Sequence, residues 1–363
     1  MKLKRFTFQD LVSKTPNIRG IPTNEYKEQG RFPVIDQGNK FIAGYSDNER
    51  ALYKDTLPVV VFGDHTLSIK YLDFPFCVGA DGTQLLKPNT DVIIGKFLYY
   101  AIINLNIQSL GYSRHFKVLK KSIFYIPDVE EQHRIVKILD LAQSLIEKRK
   151  QAIAYLDDYI KAVFLDMFGD PVSNPKGWEV VKFEDICKIE TEQISPIKIK
   201  SSHYYIGLED IEKGTGRIIK TSSSNSALLK SAKFVFTKEN VLYGKLRPYL
   251  NKVALPEREG ICSTDILPLT PIKDKSQKHF ICYLIRSDYF VSQMIKCTVG
   301  ANLPRVNSGS LNETSVYSPP IALQGQFSEI VQKTESLQQK MQSQLQELEH
   351  NFQAQLQRAF RGE

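Results

Sequence analysis

Residues 127–170 read PDVEEQHRIVKILDLAQSLIEKRKQAIAYLDDYIKAVFLDMFGD. From Ile135 an apolar residue returns every three or four positions, at Leu139, Ala142, Ile146, Ile153, Leu156, Ile160, Val163 and Met167, with Arg149 the one polar member. Steps alternating four and three give a 3.5-residue period, the mark of a helix that packs along another helix. No glycine or proline interrupts the pattern between Val129 and Phe168. At ~1.5 Å per residue, about 40 residues reach roughly 60 Å. A helix of that length holds apart what it connects.

The matching helix lies 192 positions later in the same chain. Pro319-Pro320-Ile321-Ala322-Leu323-Gln324 falls on Pro127-Asp128-Val129-Glu130-Glu131-Gln132, Ile135 on Phe327, Leu139 on Val331, Arg149 on Met341, Ile153 on Leu345 and Phe168 on Phe360. Two such helices at a fixed offset indicate an internal duplication whose unit is a globular segment followed by a long helix. The boundaries that follow are a first globular domain over 1–126, a helix over 127–170, a second globular domain over 171–318 and a helix over 319–363. The fold class is α+β, with two similar globular segments separated by two long helices. Arg149 either snorkels out of the seam or meets neighbours at the level of Gln338 and Met341; both stay open.

The first globular segment predicts strands at RFPVI (31–35), KFIAGY (40–45) and PVVVFG (58–63), a strand pair over 74–88 about an Asp-Gly turn, and a buried helix over 96–110. Residues 111–121, GYSRHFKVLKK, read as a loop dense in cations and aromatics. PVSNPKGW (171–178) is the clearest linker. The second globular segment repeats the first loosely. Phe183-Glu184-Asp185-Ile186 echoes Phe8-Gln9-Asp10-Leu11, and EGICSTDILPLTP (259–271) echoes FPFCVGADGTQLLKP. Framework residues recur while polar loop residues do not, as expected of one scaffold carrying two loop chemistries, or of a drifted duplication.

The 363 residues carry a formal net charge of +8. The two helices are acidic or neutral, so the excess positive charge sits on the globular segments. That is the footprint expected of a polyanionic partner, although plain solubility accounts for the charge alone. MKLKRFTFQDL lacks the apolar core of a secretory signal, and no apolar run approaches a membrane span. Five cysteines with no CxxC pair read as reduced thiols of a cytoplasmic protein.

Catalytic signatures are missing. The chain has no GxxxxGK[ST] loop, no Asn-Pro-Pro-Tyr or Asp-Pro-Pro-Tyr, no HxH or HExxH and no Gly-x-Ser-x-Gly. No catalytic or metal-ligating residue is therefore assigned. Binding signals are stronger. Tyr243-Gly244-Lys245-Leu246-Arg247-Pro248-Tyr249-Leu250-Asn251-Lys252 packs three cations, two tyrosines and an asparagine into ten residues. Such a loop can set Lys or Arg on phosphates and a guanidinium fork against guanine. The alternative is a solvated hairpin with its tyrosines packed inside. Asn302 and Arg305 form a similar loop. The counterparts in the first half are Arg114, His115 and Lys117, with His65, Gln37, Asn39 and Lys40 on earlier turns. DNA rises ~3.4 Å per base pair, so two readers held apart by such a helix predict two half-sites with an unread gap.

Two variable globular segments, each followed by a Pro-x-x-x-Glu-Gln-x-x-Ile-Val helix, resemble the specificity subunit of Type I restriction-modification systems. The residues that carry the likeness are Pro127, Glu131, Gln132, Ile135 and Val136, then Leu165–Gly169, and in the second half Pro319-Pro320-Ile321, Gln324, Phe327 and Ala359–Gly362. Leu323 stands where the second-half Glu is expected, and Gly325 sits in the helix start. The resemblance implies that each globular domain is a target recognition domain reading half of a split, asymmetric site in double-stranded DNA, and that the two helices lie antiparallel as a coiled coil. It implies docking of two methyltransferase (modification) subunits on the helices, with Glu131, Gln132 and Gln324 as docking residues. Restriction (motor-nuclease) subunits would join outside them. S-adenosylmethionine, ATP and Mg would belong to those partners, leaving this chain without a cofactor. A coiled-coil scaffold whose globular domains bind proteins is the competing reading.

Overall fold

The computed structural model describes residues 2–362 apart from Leu110, Tyr112, Ser201, Ala301, Asn302 and residues 220–230. The chain forms two compact units, Met1–Lys150 with Ser343–Glu363, and Gln151–Gln342. The long helices run Val129–Phe168 and Ile321–Arg361. Each gives one half of its length to each unit, so the units divide the helices at mid-length.

The seam is buried along both helices. Ile135, Leu139, Ile146, Ile153 and Ile160 are enclosed, as are Phe327, Val331, Leu345, Phe352 and Leu356. Within the second unit Asp157 bonds Gln338 at 2.9 Å, while Phe164, further along the first helix, meets Phe327, further back along the second. The helices are therefore antiparallel. In the first unit Tyr100 touches both Asp140 and Phe352. Arg149 there reaches Gln344 at 2.7 Å, and Lys150 pairs with Glu349 at 2.9 Å. Arg149 thus leaves the seam for a polar partner one turn beyond the level the sequence suggests. Each helix is followed by a glycine at positive φ, Gly169 (+82°) and Gly362 (+81°), the left-handed conformation that ends helices. After the first, the linker folds back, and the Trp178 indole N–H donates to the Phe168 carbonyl.

In the first unit Lys4–Thr7 pairs antiparallel with Ile123–Ile126. A four-stranded sheet has the order Val12–Ser13, Thr83–Pro88, Val59–Gly63, Ile69–Leu72. A smaller sheet orders Gly44–Ser46, Phe32–Ile35, Cys77–Val78, the last two strands running parallel. The second unit repeats this. Glu179–Lys182 pairs with Ser315–Ser318, the four-stranded order is Cys187–Ile189, Ile266–Pro271, Val241–Gly244, Val253–Ala254, and Tyr205–Ile206 runs parallel to Gly260–Cys262. The helices Gly95–Asn104 and Lys278–Arg286 occupy corresponding places. Their phenylalanines meet corresponding residues of the long helices, Phe97 against Phe360 at 4.9 Å and Phe280 against Phe168 at 5.0 Å.

Three local expectations are corrected. Residues 74–88 do not form a hairpin with themselves. Cys77–Val78 joins Phe32–Ile35 and Thr83–Pro88 joins Val59–Gly63, because the fully apolar Cys77 and Val78 fit between Ile35 and Ala51 in the core. The strand expected over 40–45 shortens to Gly44–Ser46, since residues 36–40 bend to meet Lys70. The loop expected over 111–121 contains a helix, Phe116–Lys120.

Candidate nucleic-acid interface

In the second unit, strand Val241–Gly244 leads into a turn that the chain holds at several points. Lys245 donates its N–H to Asp265 O (2.9 Å) and accepts from Val306 N (3.0 Å), and Arg247 N donates to Pro304 O (2.8 Å). Leu246 and Arg305 form an antiparallel bridge. The two loops singled out in the sequence, 243–252 and 298–307, are thus one joined surface. Lys245 lies half-buried on it, while Arg247, Tyr249 and Arg305 are exposed. Arg305 is oriented by Asp265, Nε to Oδ1 at 3.2 Å. Arg247 (φ +52°) and Asn251 (φ +48°) are both left-handed and bracket the turn Pro248–Leu250. For arginine that conformation costs about 1 kcal/mol, and such strain concentrates at functional loops.

In the first unit the predicted residues lie on loops tied to one another. Gln37 accepts from His65 N (3.1 Å) and donates to Asp81 O (2.7 Å). Asp64 is buried; its carboxylate accepts from Phe116 N (2.8 Å) and its carbonyl from His115 N (2.8 Å). The turns at 36–40, 64–66, 81–82 and 113–117 therefore form one surface. Asn39, Lys40, Arg114 and Lys117 are exposed on it, with His65 and Gln37 half-buried.

Other predicted residues point inward. His115 has no exposed surface, and its Nδ1 lies 2.9 Å from Asp64 O. Tyr243 is buried, and burial pushes its phenol well above the ordinary value. Asn251 donates to Arg286 O (2.8 Å), and Lys252 to Leu208 O (2.7 Å). Asn302 lies outside the described residues. The docking residues change most. Gln132 and Gln324 are both 0% exposed, each gripping three backbone groups. They brace the fold and present no face to a partner. Glu131 stays at the surface, paired with Arg134 at 2.6 Å.

The sequence reading missed the anchors Lys70 and Asp265, and it placed Asp64 only on a candidate contact turn beside His65, not as a buried anchor. Among the described residues no cluster of three or more His, Cys, Asp or Glu could hold a metal, and no helix is long and apolar enough to cross a membrane. Four of the five cysteines are buried. Burial pushes the Cys262 thiol up to about 12, which removes it as a nucleophile.

Two copies of one α/β frame, each packed on part of the two long helices and each carrying different cation-bearing loops, define a class of duplicated, loop-bearing proteins. The family described as Type I restriction modification DNA specificity domain matches residues 3–155 and 175–350, and the chain belongs to it. The specificity subunit of the Type I restriction enzyme EcoDI from Escherichia coli is 28% identical over 198 residues, 53% of this chain and 43% of that protein. The MjaIX specificity subunit from Methanocaldococcus jannaschii is 22% identical over 273 residues, 67% of this chain and 62% of that one. The chain thus spans about half the length of the curated relatives it matches. The solved Type-I restriction-modification S subunit from M. genitalium superposes with a TM-score of 0.59 at 14% identity, covering 99% of this chain and 96% of that one. A chain solved in work on complex assembly and conformational transition of the type I R-M system gives 0.55 at 13%, covering 99% and 97%. These two likenesses concern the fold.

Proposed function

We propose that this chain is the DNA-specificity subunit of a Type I restriction-modification complex. Each unit reads one half of a bipartite, asymmetric site in double-stranded DNA, and the bases between the halves are unread. The observation that carries this reading is the pairing of a repeated frame with unrepeated loops: Asn39, Lys40, Arg114 and Lys117 are exposed on one, and Arg247, Tyr249 and Arg305 on the other. Lysine and arginine on braced loops neutralise phosphates, and an arginine fork beside them distinguishes guanine edges. The chain is non-catalytic and holds no cofactor. Methyltransferase subunits supply S-adenosylmethionine, and restriction subunits supply ATP and Mg.

Partner docking falls on exposed apolar residues of the first long helix rather than on Gln132 and Gln324. Ile138, Leu141 and Leu145 form one such group in the first unit, and Tyr155 and Tyr159 another in the second. Spacings of three and four share a helix face. Mapping methylated adenines in cells that express this chain with its modification subunit tests the reading. The expected result is a split motif with a fixed gap. A continuous motif, or a stable complex that methylates nothing, contradicts it and favours a protein-binding scaffold.

A further inference from the structure

The loop that follows the first parallel strand is seated in the same way in both units. In the first, Phe32–Ile35 ends and residues 36–40 turn across the hairpin Val59–Gly63/Ile69–Leu72. Lys70 Nζ donates to Asp36 O at 2.8 Å and to Lys40 O at 2.6 Å, with the Asp36 carboxylate at 3.8 Å. The Lys70 side chain is only 3% exposed. In the second unit Tyr205–Ile206 ends and residues 207–210 turn across the equivalent hairpin, where Lys252 Nζ donates to Leu208 O at 2.7 Å.

Register makes the two lysines comparable. Gly63 N bonds Ser68 O and Gly244 N bonds Lys252 O, both at 2.8 Å. Lys252 therefore stands level with Ser68, and Lys70 stands two residues further along the strand. Side chains two apart share a face, so both ammonium groups approach their loop from the same side. The glycines recur too. A Cβ on Gly63 would come within 2.8 Å of Gln37 O, and one on Gly244 within 2.7 Å of Leu208 Cδ1. Gln37 and Leu208 are each the second residue after the parallel strand. The floor for this loop, a glycine beside a lysine, is thus built twice, under loops of unrelated sequence (DQGNK and GLED).

A buried ammonium is costly unless its hydrogen bonds are made. Its presence beneath a surface loop calls for a reason that apolar packing would not meet. We propose that Lys70 and Lys252 are positioning residues for base reading. They touch no DNA. Lys70 converges two carbonyls of the loop bearing Gln37, Asn39 and Lys40 onto one cation. Lys252 fixes the loop lying against Gly244, the residue before Lys245. This assignment rests on the specificity-subunit reading.

The test uses Lys70→Met and Lys252→Met in the full chain, assembled with its modification subunits. Two quantities are measured on duplexes carrying the mapped motif: discrimination against a single base change in each half, and the slope of log affinity against log salt. Each variant is expected to lose about tenfold in discrimination in one half only, the size of one lost base contact. The salt slope and the other half stay unchanged. A slope lowered by about 0.9 would make the lysine a phosphate contact and overturn the proposal. So would full discrimination alongside a lower melting temperature, which would mark a purely structural prop. Should Lys70→Met fail to assemble, Lys252→Met, which removes a single bond, decides between the same outcomes. A native complex with no half-site preference overturns the functional reading itself, and the lysine assignment with it.

Discussion

Gln132 in the first unit accepts from Ile94 N at 2.9 Å and donates to the carbonyls of Val92 and Pro127. Gln324 in the second accepts from Gln277 N at 2.9 Å and donates to Lys275 and Pro319. The units match there bond for bond. They differ one residue before the matching phenylalanines. Lys96 lies 3.4 Å from Asp140 and over the Tyr71 ring, whereas His279 is buried. They differ entirely in the loops proposed to read DNA, where Gln37, Asn39 and Lys40 have no counterpart among residues 207–210. The comparison teaches where each kind of residue is constrained. Groups that satisfy buried backbone are held in place by the cost of leaving it unpaired. Groups that face outward are free to change, and the chemistry of reading can diverge there without disturbing the frame.

The largest expected effect tests the repeated lock. Gln132→Ala and Gln324→Ala should each cost about 2–4 kcal/mol, since each leaves an N–H and two carbonyls without partners in the interior. Chemical denaturation followed by hydrogen exchange in each unit measures both. Markedly unequal losses would break the equivalence of the units.

Acid sharpens the contrast at His279. Burial, and then the neighbouring charge of Lys278, hold its pKa down at about 4. The folded form disfavours the proton, so stability is whole above the ordinary value of 6.5. It is lost as pH falls from there towards 4, by up to about 3 kcal/mol. The second unit should show this loss, and His279→Gln should remove it. An unaltered pH profile in that variant would assign the acid sensitivity elsewhere.

Arg247 tests whether strain is kept for reading. Arg247→Gly relieves the left-handed arginine and should leave stability unchanged or raise it by about 0.5–1 kcal/mol. Discrimination in one half-site should nonetheless fall by about 1–3 kcal/mol. A methylation map with that half-site intact would remove Arg247 from the interface. The smallest effect belongs to Arg149, whose bond to Gln344 is at the surface. Arg149→Ala should shift stability by under about 1 kcal/mol, and a larger shift in the unfolding midpoint would show that the polar level sets the helix register.

Much of the frame was legible because it is periodic. The seam from Ile135 to Met167 and its copy after Ile321 specify two long helices whatever surrounds them. The pairing of 77–78 with 34–35 was not legible, since the Asp81-Gly82 turn signals a hairpin locally and the core overrides it. Of the candidate site, the cationic loops were readable as composition, but not the direction of each side chain. Lys252 and His115 look like neighbours of Lys245 and Arg114 in sequence, yet they point inward, towards Leu208 O and Asp64 O. A polar residue type declares what it can bond, and only the fold decides with what. One signal did exist for Gln132 and Gln324. They recur at the repeat offset while loop residues do not, which marks them as frame.

The central claim is that the two units are independent readers. Its most direct test is the methylation map of a complex whose chain carries Lys245→Ala, Arg247→Ala and Arg305→Ala together. The account predicts a motif degenerate in one half, with the other half and the gap unchanged. Change in both halves, or a motif identical to the native one, would contradict it.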